Sequence, residues 1–215
     1  EISACLVGSE MCIRDRSGPG IYGAQYYGQN NLNGFRNAVR MKQWISFFCL
    51  LAGLAVFLLG GENLIGLYLH GESADVDPAA TMHYAKQYLH VMLFGLPPFV
   101  VTQVYASSLR ETGDSVKPML AGILSVFVDI IGNYLLIYGN FGMPKLGVQG
   151  AAIATVLARV VEMSIVVIWA HARKRKHVFL QGLYRTMRIP ADSAKKMIRK
   201  LSLIHISEPT RQAEI

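Results

Sequence analysis

One acidic residue stands in the middle of a long apolar run. Asp129 lies within Pro118–Gly139, PMLAGILSVFVDIIGNYLLIYG, where no other residue is charged. Ser125 and Asn133 flank it at four residues on either side, so a helix sets all three on one face. Gly122 and Gly132 fall close to that face and allow near approach of another helix or a ligand. A charge at the centre of a bilayer costs on the order of 2.5–3.5 kcal/mol by insertion scales, so it needs a partner or a water-lined cavity. Two chemistries meet that need. The carboxylate can exchange a proton or hold a cation according to which side its cavity opens to. Alternatively, Asp129 is interhelical glue, hydrogen-bonded to Ser125 or to a neighbouring helix.

Two further polar sets have helical spacing inside apolar runs. Thr155, Arg159 and Glu162 share a face of the segment 147–170, and Arg159 and Glu162 can neutralise each other at i, i+3. Gln103, Ser107 and Arg110 recur along one face at the end of the segment 88–109, beside Thr102. They are candidates to line a cavity, together with Thr155, Arg159 and Glu162. Pro97-Pro98 in the same segment should kink its helix and free backbone carbonyls. Such broken helices often line transport paths, although many membrane helices hold proline for packing alone.

Enzyme signatures are weak. His70-Gly-Glu-Ser-Ala-Asp75 fits the His-x-x-x-x-Asp pattern of glycerolipid acyltransferases, but two fixed residues match often by chance. No metal-ligand, P-loop or nucleophile-elbow spacing occurs. Of the three cysteines, only Cys49 lies in an apolar run, where a lone thiol behaves as a small hydrophobe. No catalytic residue, metal or cofactor is expected.

The elements that must position these residues are membrane helices. About 20 apolar residues span a bilayer as a helix. Four such stretches run from about 44 to 60, 88 to 109, 118 to 139 and 147 to 170. The fold class is therefore all-α, a polytopic transmembrane helical bundle. Arg36, Arg40 and Lys42 precede the first span, Arg110 and Lys117 separate the second from the third, and a cluster ending in His177 follows the fourth. The connection after the first span instead carries Glu62, Glu72, Asp75 and Asp77. Positive charge marks the cytoplasmic side, so the chain should enter from the cytoplasm, cross four times and return. Trp44 and Trp169 fall at the inner interface, and Tyr68, Tyr84, Tyr88 and Tyr138 near the outer one, as amphipathic rings prefer.

Outside the spans the chain divides further. Residues 1–16 and 201–215 lack hydrophobic periodicity and resemble translated sequencing adapter, so they are expected not to be biological. Residues 17–43 should hold the end of a preceding helix and a cytoplasmic loop, 44–170 the four-helix part, and 171–200 a basic cytoplasmic linker. That linker either lies against anionic lipid or is a solvated stop-transfer signal. The formal net charge of +7 is explained by membrane topology, and no nucleic-acid partner is expected.

Four blocks, in order, resemble one family. They are Gly23-Ala-Gln-Tyr-Tyr-Gly28, Tyr105-Ala-Ser-Ser-Leu-Arg-Glu-Thr-Gly-Asp114, Asn133-Tyr-Leu-Leu-Ile-Tyr-Gly139 and Gly147-Val-Gln-Gly-Ala-Ala-Ile-Ala-Thr155. The sequence resembles the multidrug and toxic compound extrusion family, MATE. The resemblance implies a fragment of a twelve-helix, two-lobe transporter, covering the end of helix 2 and helices 3 to 6 of the amino-terminal lobe. It also implies exchange of organic cations for protons or sodium ions, a multi-pass place in a bacterial plasma membrane, and dependence on the missing remainder of the chain. Where the family's amino-terminal lobe holds the ion, helix 5 often carries Asn and then Asp four residues later. Here the order is reversed, and if Asn133 matches that Asn, Ile137 takes the acid's place. Ser125, Asp129 and Asn133 are the coupling candidates. A lipid-linked saccharide flippase of the same superfamily and a membrane subunit without transport are the alternatives. Such flippases carry several cationic residues in the cavity, and this sequence offers Arg159.

Overall fold

A computed structural model of the chain describes residue 20 and residues 22–69, 78–142, 144–173 and 183. The adapter-like ends, the acidic residues Glu72, Asp75 and Asp77, the His70–Asp75 pattern and the basic linker beyond Arg173, apart from Leu183, lie outside the described residues.

The described elements are helical. After a helical stretch at 22–28 come α1 (Leu32–Leu69), α2 (Pro78–Leu93), α3 (Leu96–Glu111), α4 (Val116–Tyr138) and α5 (Val148–Ala172). A single 3-10 turn, Asn140–Gly142, follows α4. Among the described residues, three helices are long and apolar enough to cross a membrane, and a fourth crossing results if the bent pair α2–α3 counts as one span. The chain is an all-α, multi-pass membrane protein.

The third and fourth spans begin and end within two residues of the apolar runs. The first two differ instructively. α1 has 38 residues and extends well beyond 44–60 at both ends. At 1.5 Å per residue it is about 57 Å long, nearly twice the hydrocarbon thickness. A hydropathy window registers only its lipid-crossing middle, and the Arg- and Lys-bearing turns before Trp44 continue the same helix. The second span is two helices bent by 45°. The break falls at Phe94-Gly95, not at Pro97-Pro98. Proline has no N–H and its ring crowds the carbonyl four residues back, so Pro97 and Pro98 leave Leu93 and Phe94 without helical partners. Phe94 and Gly95 turn tightly instead, donating to Val91 O and Met92 O at 3.1 and 2.9 Å. The α helix resumes with Phe99 N–H on Gly95 O.

The chain forms two compact units. Among the described residues, the first takes in those up to Ser46, Ser107–Asp114, and Ala170 to Arg173 with Leu183. Its core includes Ala38 and Met41, with Tyr22, Tyr26 and Ile45 packed against them. Here α3 ends on Gly113, at φ +84°. Gly113 N–H donates to Arg110 O and Asp114 N–H to Leu109 O, both at 3.0 Å, which is the Schellman closure. Only glycine enters that left-handed conformation freely, which explains the Gly in Leu109-Arg-Glu-Thr-Gly-Asp114.

The second unit, Phe47–Ala106 with Ser115–Trp169, contains the seam between α4 and α5. In lipid the hydrophobic effect does not drive helices together, so close approach of small residues must. Gly132 meets Ala154, Ser125 meets Ala158, and Gly150 lies against the Leu136 backbone. The opposite face of α4 is exposed and large: Met119, Ile123, Phe127, Ile130 and Tyr134.

Candidate functional site

Ser125 and Asp129 share a face of α4, as their spacing predicted, but they do different things. Ser125 Oγ donates to Ala158 O across the seam at 3.1 Å. It is the interhelical glue, and its hydroxyl is committed to α5. Asp129 Oδ1 and Asn133 Oδ1 are both buried without a hydrogen-bond partner. The contacts Ser125–Ala158 and Gly132–Ala154 fix the antiparallel register, which sets Asp129 level with Thr155 of α5. Thr155 Oγ1 donates to Ala151 O of its own helix at 3.1 Å. The seam thus holds two acceptor oxygens, one helical turn apart, that no described donor meets. An oxygen in that condition is costly unless a proton, ion or water completes it.

Arg159 and Glu162 pair as expected, Nη1 to Oε2 at 3.3 Å. Glu162 is the better buried of the two, 14% exposed against 42%. The guanidinium also lies 5.0 Å from the centroid of the Phe99 ring, which draws α5 towards the first turn of α3 by a cation–π attraction. The Glu162 carboxylate stands 3.9 Å from where a Cβ on Gly122 would be. Glu162 therefore borders the same seam as Asp129, some two turns away. Gln103, one turn beyond Phe99 on α3, is half-buried. Thr102 is satisfied locally by Pro98 O at 2.9 Å.

Ser107 does not join this group. It belongs to the other unit, where its Oγ accepts from Lys42 Nζ at 3.4 Å. Arg110, its companion by spacing, is exposed. Sequence reasoning missed the partner that matters there. Lys42 forms an ion pair with Glu111, and its side chain is 0% exposed. The two residues are 69 apart in sequence, so no local spacing reveals the pair. The one available signal was an acid inside the Leu109–Asp114 block, next to a helix end predicted to be basic.

The family model MatE matches residues 16–135. The probable multidrug resistance protein NorM of Thermotoga maritima is 36% identical over 135 residues, 61% of this chain and 28% of that protein. The probable multidrug resistance protein YoeA of Bacillus subtilis is 31% identical over 162 residues, 75% of this chain and 33% of that protein. Among solved structures, an inward-facing multidrug resistance MATE family transporter of the MOP superfamily is similar with a TM-score of 0.63 at 21% identity. That similarity covers 83% of this chain and 42% of the solved one, and it shows a shared fold. The chain spans about a third of the length of the curated relatives it matches.

Proposed function

This chain belongs to the MatE family, and from that premise we propose that the whole protein exports amphipathic organic cations across a bacterial plasma membrane in exchange for protons or sodium ions. The observation that supports this reading is the pair of unpartnered buried oxygens, Asp129 Oδ1 and Asn133 Oδ1, facing a seam of small residues. A carboxylate held in a membrane span without a donor favours whatever supplies positive charge. A proton or a sodium ion fits, and each binds or leaves as the site opens to one side or the other. Asn133 contributes a neutral acceptor one turn away. In this reading Ser125 serves chiefly to tie α4 to α5, its proton held by Ala158 O. Gln103, Thr155, Arg159 and Glu162 line the path to the site. The remainder of the transporter and the surrounding bilayer are the partners this reading requires.

The saccharide-flippase alternative needs cations free to meet a diphosphate. Arg159 is instead paired with Glu162 and stacked on Phe99, which favours export of cations. The test is reconstitution of the full-length protein in liposomes with ethidium as the probe. Efflux driven by an imposed proton or sodium gradient supports the reading. Flipping of a lipid-linked saccharide, with no gradient-driven ethidium movement, contradicts it.

A further inference from the structure

We propose that Lys42 and Glu111 form a reversible latch at the predicted cytoplasmic end of the lobe, one that breaks and re-forms during transport. This rests on the transport reading above. The Lys42 side chain is fully buried and Glu111 is 11% exposed. The pair ties α1 to the last turn of α3, immediately before the left-handed Gly113 that stops that helix.

Three observations argue against a merely permanent tie. Glu111 Oε2 is buried and has no hydrogen-bond partner, so the carboxylate is only half satisfied. The lysine's hydrogen bond to Ser107 Oγ is long at 3.4 Å. One turn along α1, Ser46 Oγ is also buried and unpartnered, and the residue is 1% exposed. A buried ion pair adds stability only when its remaining lone pairs and protons are also satisfied. This one leaves polar atoms waiting on both sides of it, all of which water would satisfy if the contact opened. Gly20 and Gly23 support the arrangement: a Cβ on Gly20 would stand 3.1 Å from Glu111 Oε1, and one on Gly23 would run into Oε2. Glycine at both positions lets that backbone lie directly against the carboxylate, where a side chain would displace it.

The chemistry of separation gives the decisive contrast. Ions that part are rehydrated, so the open and closed states can be close in free energy. An apolar pair of similar volume holds the closed state and gains nothing from water. The experiment uses the full-length transporter in liposomes, with ethidium as the probe. Lys42→Met with Glu111→Leu should fold yet lower gradient-driven efflux at least tenfold. The reversed pair, Lys42→Glu with Glu111→Lys, should return efflux to within about threefold of the parent. Parent-like efflux from the apolar pair would overturn the latch and leave static packing. Should the apolar pair fail to fold, Ser46→Cys in a transporter with its own cysteines replaced, Cys49 included, and Lys42 and Glu111 intact decides. Its labelling by a charged maleimide from the cytoplasmic side should quicken at least threefold during ethidium turnover, and an unchanged rate overturns the proposal. A parent protein that moves no ethidium under either gradient contradicts the transport reading itself, before any latch variant is made.

Discussion

Replacing Gly150 with alanine should force α4 and α5 apart. A Cβ there would stand 2.6 Å from Leu136 O, 2.8 Å from its carbonyl carbon and 3.0 Å from its Cβ. Two of these atoms are backbone. They are held in place further by the Leu146 N–H, which donates to the same oxygen at 3.0 Å. No rotamer change relieves the collision. Ordinary contact begins at 3.4 Å, so the helices must separate locally by roughly 0.8 Å, enough to forfeit a quarter to a half of each facing contact's attraction. The same movement strains the Ser125–Ala158 hydrogen bond, an interhelical bond of a kind worth about 0.6 kcal/mol in membranes. Overpacking of this sort costs about 1–3 kcal/mol. The assay is thermal unfolding of the purified full-length protein in detergent, beside Gly53→Ala as a control, since nothing lies within 4 Å of a Cβ at Gly53. Gly150→Ala should melt several degrees below the parent and Gly53→Ala at or slightly above it. A Gly150→Ala protein as stable as the control would refute the small-residue seam.

Other outcomes follow from the same geometry. Gly113→Ala meets no atom within 4 Å, so its penalty is purely that of a left-handed backbone, about 1–2 kcal/mol; Gly113→Asn should lose less in the same melting assay. Pro97→Ala with Pro98→Ala returns two amide donors to Leu93 and Phe94 and should straighten the 45° bend. Spin labels at Tyr84 and Val101 should then move apart by roughly 2 Å, read by pulsed electron resonance. Ser125→Ala should cost about 0.6 kcal/mol of stability while leaving gradient-driven ethidium efflux intact, because its hydroxyl serves packing; a loss of coupling there would return Ser125 to the site.

The spans were legible in the sequence because hydropathy reports the solvent each residue meets, and lipid imposes that requirement on every turn. Helix ends outside lipid impose no such requirement, which is why α1 outruns its apolar stretch. Pro97-Pro98 announced a break, but its position depends on which carbonyls lose their donors, three to four residues upstream. The Asp129 face was legible from i, i+4 spacing alone. What spacing could not say is where each side chain spends its hydrogen bonds. Ser125 looked like a companion of Asp129, and the antiparallel register with α5 turned its hydroxyl to Ala158. The Lys42–Glu111 pair was illegible for the opposite reason. The lysine had a sufficient local explanation in topology, the glutamate stood only as one residue of the Tyr105–Asp114 block, and only folding brings them together.

The central claim is that Asp129 couples an ion to export. Its most direct test is Asp129→Asn in the full-length transporter, reconstituted with ethidium and an imposed proton or sodium gradient. Asparagine keeps the shape and removes the exchangeable charge. The folded variant should still bind ethidium, while its gradient-driven efflux falls at least tenfold and no longer responds to either ion. Efflux at the parental rate under either gradient would contradict it.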